Sequence, residues 1–428
     1  MPDEPALMAP PERPGEDYVV EMLRTLWPDP AVVCRVGPGT VVRGRRVARF
    51  AALPNADRPR ALLPRAPRAA AAAALARLTD GPGAAARLRS TGLRLLASAG
   101  LVRALPQGFV VTAPADAVVD DVASHLESAL GRPLAVSLKI GPVRAVQKPV
   151  LHLLSPDGAT VGYAKIGTTG FSASLVRTEA AALRLLGTHE WTHLRVPTVL
   201  HDGRWQGHEV LVQEPLEGRP WAGERDAVRA AMVEVARSQG VAHHLLRESR
   251  WWKDLEGRIE RLPAGDATDA LRDAARRLVT SRGGESLSFG CRHTDWAPWN
   301  IAMDGPTVLV WDWEQFEQDV PLGLDAVHFD LQQLVVLQSV DPREAYDRLV
   351  RTAPGVVGAF GVPTEQAALT VALYLLETTC RYLQDGETGT RLSRVDLWLR
   401  DTLADLDGAL ERELRRVGLE RAGGVGGG

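Results

Sequence analysis

The sequence predicts an α+β protein of two lobes: a small β-rich lobe over residues 134–216 and a larger helical lobe over 217–420. An additional N-terminal α/β region spans 18–133. Three observations carry this expectation. Short apolar runs of strand rhythm crowd into 134–216, segments of helical period fill the chain after 217, and the length of 428 residues exceeds the usual single-domain size, so that each unit can bury its own core. A small sheet joined to a helical lobe leaves a cleft, the usual place for a ligand.

Residues 1–17, rich in Pro and Glu with no apolar pattern, are expected to be disordered, and the glycine-rich 421–428 to form a flexible tail. In the N-terminal region 31–36 and 47–53 read as strands, 55–59 as a turn, and 69–78 and 84–99 as helices, the first an alanine tract of high helix propensity. From 134 onward, 134–140, 148–154 and 161–166 read as strands. Ser155-Pro156-Asp157-Gly158 supplies the tight turn between the second and third. A helix over 174–186 places Ala180, Leu183 and Leu186 on one face, and 197–199 with 210–213 complete the sheet. The helical lobe follows as 226–247, 267–280, 363–383 and 393–417. The strand-turn-strand-helix order at 47–78 also mimics that at 148–186, as a degenerate duplication would.

Composition narrows the functional classes. Lys+Arg of 50 against Asp+Glu of 53 leaves a net charge of -3, so no global field draws the protein to nucleic acid or an anionic membrane. One local exception is 84–113, where Arg87, Arg89, Arg94 and Arg103 accompany a helix and a possible hairpin, faintly like a winged-helix DNA module; packing of that segment on the neighbouring lobe is the plainer alternative. The N-terminal region leaves room for a protein partner. Cys34, Cys291 and Cys380 are too scattered for a disulfide framework or a metal site, which fits a reducing compartment. With no secretory pattern at the N-terminus and no apolar run of about 18 residues, a cytoplasmic location and no membrane span are expected.

The densest chemical signal is His293-Thr294-Asp295-Trp296-Ala297-Pro298-Trp299-Asn300, followed by Trp311-Asp312-Trp313-Glu314. An Asp and an Asn five apart on one tight loop can approach a substrate hydroxyl and a metal ion together. Asp312, after the apolar run 308–311, can reach the same ion. Such oxygen donors suit Mg²⁺, a hard cation that commonly shares its ligands with phosphate. Upstream, Lys165 lies on a strand and Glu179 on the following helix. A lysine among Val161, Tyr163, Ala164 and Ile166 is costly to bury without a partner, and Glu179 can be that partner. An exposed lysine and an exposed glutamate are the alternative.

The pattern His293-x-Asp295-x-x-x-x-Asn300 with the later Asp312-Trp313-Glu314 resembles the H-G-D-x-x-x-x-N and I-D-W/F-E motifs of the aminoglycoside phosphotransferase family, which has a protein-kinase-like fold. The similarity covers about 134–400. The resemblance implies a phosphotransferase that moves the γ-phosphoryl group of ATP to a hydroxyl of a small molecule, a sugar, an aminoglycoside or a similar metabolite. It makes Asp295 the base or orienting group, Asn300 and Asp312 the Mg²⁺ ligands, and Lys165 with Glu179 the phosphate-positioning pair. Tyr163 matches a position where an aromatic ring packs on adenine, an ordinary core role being its alternative. Glu214 and Leu216 fall in the segment whose backbone bonds the adenine edge. Asp325 is loosely similar to an aspartate after the metal ligand and is read as a helix-start carboxylate.

The chain departs from the motif in places. Thr294 stands where the family has glycine, Trp296 and Trp299 make the loop bulky, and 141–147 has a single glycine where a phosphate-covering turn is expected. A nucleotide-binding pseudokinase with a regulatory, partner-binding role is the competing reading, opposed by the filled acid-base and metal positions. Glu377, Asp385 and Glu387 alternate with Arg381 and Arg391, so the charge of an acceptor pocket is not legible.

Overall fold

A computed structural model describes residues 16–37, 40–79, 108–140 and 148–384; the expectations placed on 84–99, on 141–147, on 393–417 and on the tail lie outside these residues. The chain divides into two compact units, one within Pro10–Thr188 and Val196–Pro220, the other formed by His189–Arg195 and the chain from Trp221 onward.

The first unit is built on one antiparallel sheet. Helix α1 (Glu16–Leu26) leads in, with Val19, Met22, Leu23 and Leu26 at helical spacing and all buried. It is followed by β1 (Val32–Val36), β2 (Arg45–Leu53), β3 (Ala61–Pro64), α2 (Arg68–Thr79), β4 (Gly108–Ala113), α3 (Val122–Leu130) and β5 (Ala135–Lys139). Next come β6 (Val150–Leu154), β7 (Thr160–Gly167), α4 (Gly170–Leu186), β8 (Val199–Trp205) and β9 (His208–Gln213). The nine strands lie in the order β1-β4-β2-β3-β5-β6-β7-β9-β8. The seam between the N-terminal region and the strands that follow is the β3–β5 pairing, Ala61 opposite Lys139 and Leu62 opposite Leu138.

Alternation along the strands gives this sheet two different faces. One carries Phe50, Leu62, Phe109, Val136, Leu151, Leu153, Ala164, Ile166 and Val210 in a single core that Leu23 and Leu26 of α1 and Val122 and Leu126 of α3 help close. On the other, Ala70, Ala71, Ala74 and Leu75 of α2 pack on Ala51, Leu63, Ala135 and Leu154, small side chains that let the helix lie close. Gly158, in the β6–β7 turn, has φ +92, and a Cβ there would stand 2.7 Å from the Ala69 carbonyl oxygen, so only glycine fits beneath the start of α2. The repeated element order does not extend to topology: β9, after α4, pairs with β7, whereas β4 pairs with β1 and β2 and leaves β3 to β5.

The second unit is mainly helical. Helix α5 (Arg225–Arg237) is shorter than the 226–247 expected, because Gly240 turns the chain at φ +87 and β10 (Ala242–Leu245) pairs instead with β11 (Ser286–Arg292). Between them lie α6 (Arg250–Glu260), capped by Ser249 accepting from the Trp252 N–H, and α7 (Asp266–Arg282). After β11 come β12 (Ile301–Asp304), β13 (Thr307–Val310), β14 (Glu317–Pro321), α8 (Leu324–Gln332), α9 (Pro342–Val357) and α10 (Thr364–Gln384). β12 and β13 form a hairpin, Leu194–Arg195 runs parallel to β13, and β14 pairs with β11. Among the described residues no single helix is long and apolar enough to cross a membrane.

Candidate active site

The first unit sets one charged pair into regular structure. Lys165 on β7 is 5% exposed and Glu179 on α4 is 0% exposed. Lys165 Nζ donates to Glu179 Oε1 at 2.5 Å and to Oε2 at 2.6 Å. A second ammonium, Lys148 Nζ, stands 3.8 Å from Glu179 Oε2. Helix α4 is fixed at its start by Thr169, whose side chain accepts from the Ser172 N–H while the Ser172 side chain bonds back to the Thr169 N–H, a reciprocal cap that sets where Glu179 emerges. Tyr163, two residues before Lys165 on the same strand face, lies opposite His152 and stacks on it with ring centroids 5.0 Å apart. Burial pushes the His152 imidazole down to about 4, with the charge of Arg77 acting in the same sense. The Glu214 N–H donates to the Thr198 carbonyl at 2.9 Å, and Leu216 is buried.

In the second unit the loop from His293 to Asn300 joins β11 to β12 and has its own bracing. Asn300 Nδ2 donates to Asp295 Oδ2 at 2.8 Å and to the Asp295 carbonyl at 3.0 Å. Both amide protons of Asn300 thus serve Asp295, and its single amide oxygen is directed elsewhere. His293 accepts the Asp295 N–H at Nδ1 (3.2 Å) and reaches the Trp311 carbonyl through Nε2 (3.0 Å), which fixes a tautomer with the proton on Nε2. Its ring packs edge-on against Trp313 at 4.5 Å and beside Trp296 at 5.7 Å. Trp296 and Trp313 are fully buried, so most of the loop's unusual bulk is core packing. Trp299 is the exception, 45% exposed.

Thr294 and Asp312 both adopt left-handed backbone, φ 77 and φ 73, a region that disfavours a side chain with a Cβ. At Thr294 the conformation is held from two sides. Its N–H donates to Asp325 Oδ1 at 2.9 Å and its hydroxyl to the Gln315 carbonyl at 2.7 Å, while the His293 N–H donates to Asp325 Oδ2 at 2.7 Å. Asp325 thus stands at a helix start in a structural role, as expected, and its partners are what the sequence did not show. It sits in the first turn of α8, but its carboxylate is spent on the loop's backbone, and Gly323 caps the helix with no side-chain bond.

The charges around the loop are arranged unevenly. Burial raises the Asp295 carboxyl and the Asp312 charge adds to that, yet the neighbouring His328 and His293 imidazoles prevail, and the group is held below the ordinary carboxylate range. His328 Nε2 stands 3.4 Å from Asp295 Oδ1. Arg292, the residue before the loop, is buried between Glu317 on β14 and Glu377 on α10, with Nε donating to Glu317 at 2.8 Å and Nη1 to Glu377 at 2.5 Å. Burial would raise Glu377; Arg292, with help from Arg381 and Arg258, draws it down to about 2. Glu377 is thus a buried anchor of the loop rather than a carboxylate on an acceptor pocket, and Asp385, Glu387 and Arg391 lie outside the described residues.

The sequence-derived residues fall into two sets: Tyr163, Lys165, Glu179, Glu214 and Leu216 in the first unit, Asp295, Asn300 and Asp312 in the second. Within the second, Asn300 touches Asp295 directly, and Asp312 is close enough for its charge to act on Asp295. Sequence reading missed His328 and the bracing by Asp325 and Arg292. The spacing of Asp325 and His328, i and i+3 at the start of a helix, puts both on one helix face, a signal that has meaning only once that face is known to meet the loop.

No protein-family model and no curated protein sequence matches the chain. Solved structures do. An amicoumacin kinase in complex with AMP-PNP, Ca²⁺ and Ami is similar at 13% identity and a TM-score of 0.42, over 64% of this chain and 88% of that one. The ADP-bound aminoglycoside phosphotransferase APH(2'')-Ib is similar at 11% identity and a TM-score of 0.41, over 66% and 97%. The aminoglycoside phosphotransferase APH(4)-Ia is similar at 12% identity and a TM-score of 0.41, over 69% and 97%. Identities and scores this low leave the functional question to the residues of this chain.

Proposed function

We propose that the protein is a phosphotransferase that moves the γ-phosphoryl group of ATP to a hydroxyl of a small molecule. The single observation that supports this reading most is the Asp295–Asn300 arrangement: a carboxylate gripped at one oxygen by the amide of the residue five later, on a loop braced by Asp325, His293 and Arg292. Phosphoryl transfer needs little covalent chemistry from a protein, so catalysis is mostly positioning and charge neutralisation. A rigid loop with one well-held carboxylate suits that demand.

In this reading Asp295 orients the acceptor hydroxyl and takes its proton as the new oxygen–phosphorus bond forms and the bond from the γ-phosphorus to the bridging oxygen breaks, ADP leaving with that electron pair. The carboxylate is anionic at neutral pH, and its lowered proton affinity suits orienting the hydroxyl more than retaining its proton. Proton handling by a positioned group contributes about 10²- to 10⁴-fold. Lys165, fixed by Glu179, orients the phosphates, with Tyr163 and the backbone of Glu214 and Leu216 assigned to the base. The oxygens of Asn300 and Asp312 would hold Mg²⁺, and the donor set fits: with its NH₂ committed to Asp295, Asn300 offers a carbonyl-type oxygen and Asp312 a carboxylate, the ligands a hard cation takes. When bound, Mg²⁺ supplies charge neutralisation at the phosphate oxygens.

The test is ATP turnover against a panel of hydroxylated metabolites with radiolabelled γ-phosphate, comparing the parent with Asp295→Ala. Turnover should fall at least about 100-fold while AMP-PNP binding, measured by calorimetry, stays within twofold. Turnover at the parental rate in the variant would remove Asp295 from the chemistry.

A further inference from the structure

His328 has no place in the expected motif, yet it is among the most constrained groups near the loop. It is 3% exposed. Its Nδ1 lies 2.9 Å from the Tyr374 hydroxyl on α10, and that hydroxyl, whose pKa burial raises, keeps its proton and is also hydrogen-bonded with Thr378. Its Nε2 makes no ordinary hydrogen bond among the described residues. The nearest charged atom is Asp295 Oδ1, 3.4 Å away, slightly beyond hydrogen-bond length. A buried donor left short of one partner requires an explanation.

Helix α8 supplies it. Asp325 and His328 stand three residues apart on one face: the first accepts the N–H groups of His293 and Thr294, the second points at the side chain of Asp295. Asn300 already holds Asp295 Oδ2, so the carboxylate can rotate only about its far side, where His328 waits. We infer that His328, with its tautomer set by Tyr374, is a positioning residue that fixes the rotation of the Asp295 carboxylate through Oδ1. The chain runs Tyr374 Oη–H to His328 Nδ1, then His328 Nε2–H to Asp295 Oδ1. Bonds of this kind are often long before substrate binds and tighten when the complex forms. The imidazole faces the Asp295 carboxylate, so it acts on the acceptor side of the reaction.

This inference rests on the phosphotransferase reading, and the experiment separates the two. Slow MgATP turnover with water as acceptor is measured for the parent, Asp295→Ala, His328→Leu, His328→Gln and Tyr374→Phe. His328→Leu should lower kcat about tenfold or more with the KM for MgATP within twofold, His328→Gln, which keeps an N–H donor, should recover at least a third of the loss, and Tyr374→Phe should cost two- to fivefold. If Asp295→Ala is inactive but His328→Leu retains parental kcat, the role of His328 is wrong and the activity stands. If Asp295→Ala keeps parental turnover, or the parent transfers phosphate neither to water nor to any hydroxyl of the metabolite panel, the phosphotransferase reading falls and takes this inference with it. Should His328→Leu fail to fold, Tyr374→Phe carries the kinetic test, and an unchanged kcat there overturns the relay. Imidazole ¹⁵N shifts give a readout independent of turnover: His328 should carry its proton on Nε2, and that signal should move in Asp295→Asn. A proton on Nδ1, or no movement, refutes the contact.

Discussion

Lys165 and Asp295 are held by different kinds of structure. Lys165 projects from the middle of a strand and meets a carboxylate on the adjoining helix, so hydrogen-bonded backbone fixes both ends and one bidentate contact completes the arrangement. Asp295 stands on a loop without a ladder of its own. It is placed by a network: Asp325 on two N–H groups, His293 between two backbone segments, Asn300 on one carboxylate oxygen, Arg292 tied to Glu317 and Glu377. An ion pair between regular elements concentrates its energy in one partner. A loop spreads it over several, and loses geometry before it loses stability.

Substitutions should expose that contrast. The largest effect is expected for Glu179→Leu, which strips a buried ammonium of its bidentate partner; breaking such a pair costs about 3 to 5 kcal/mol and should lower Tm by on the order of 10 °C. The double variant Lys165→Met/Glu179→Leu should recover most of that loss, and a single variant melting at the parental temperature would show that the pair is not where the unit stores its stability. Asp325→Ala comes next. Two buried N–H groups lose their acceptor, at about 2 to 3 kcal/mol in all, and kcat should fall at least tenfold, because His293 and Thr294 carry Asp295 with them. Stability lost with full activity retained would break the idea that the network serves geometry.

The third effect is one of pH. His152 is depressed from 6.5 to about 4, so the unfolded chain binds its proton first. Its contribution is fully present above pH 6.5 and is lost as pH falls toward 4. By pH 4.5 roughly 2 kcal/mol should be gone. Glu377, held down to about 2, contributes stability that is lost only below about pH 4.5, so the two windows separate. His152→Phe keeps a ring on Tyr163 and should flatten the melting curve between pH 6.5 and 4.5; an unaltered slope would assign the loss to another group, such as His125, which burial also depresses. The smallest change is expected for Thr294→Gly. Relief of the left-handed backbone and loss of the hydroxyl bond to Gln315 oppose each other, leaving stability within about 1 kcal/mol. A large loss by denaturant titration would mean that the Gln315 contact dominates the brace.

Legibility from the sequence followed the same division. The strands at 134–166 and the helix carrying Glu179 were readable, because alternation and helical period are local properties. Helix α1 was not, although its buried residues keep helical spacing, since eleven residues beside a Pro- and Glu-rich segment offer a weak pattern. The break of 226–247 after Arg237 was missed because Gly240 and a pairing with β11, more than forty residues away, outweigh a favourable helical period. Strand β3, four residues ending in Pro64, is too short to announce itself. Asp325 was legible as a structural carboxylate at a helix start, but its partners were not, because they are backbone groups on the distant loop at His293 and Thr294.

By itself the sequence determined most of the periodic elements, offered Glu179 as a partner for Lys165 beside an exposed alternative, and set Asp295, Asn300 and Asp312 close together along the chain. Each of these depends on neighbours within a few residues or on spacing along regular backbone. Only the tertiary structure decided that the N-terminal strands continue the same sheet through β3 and β5, that Glu377 is an anchor rather than a surface charge, and that α8 turns Asp325 and His328 toward the loop. Those outcomes depend on which faces meet across long stretches of chain, and burial, which fixes the cost of every unpaired polar group, has no value until they do.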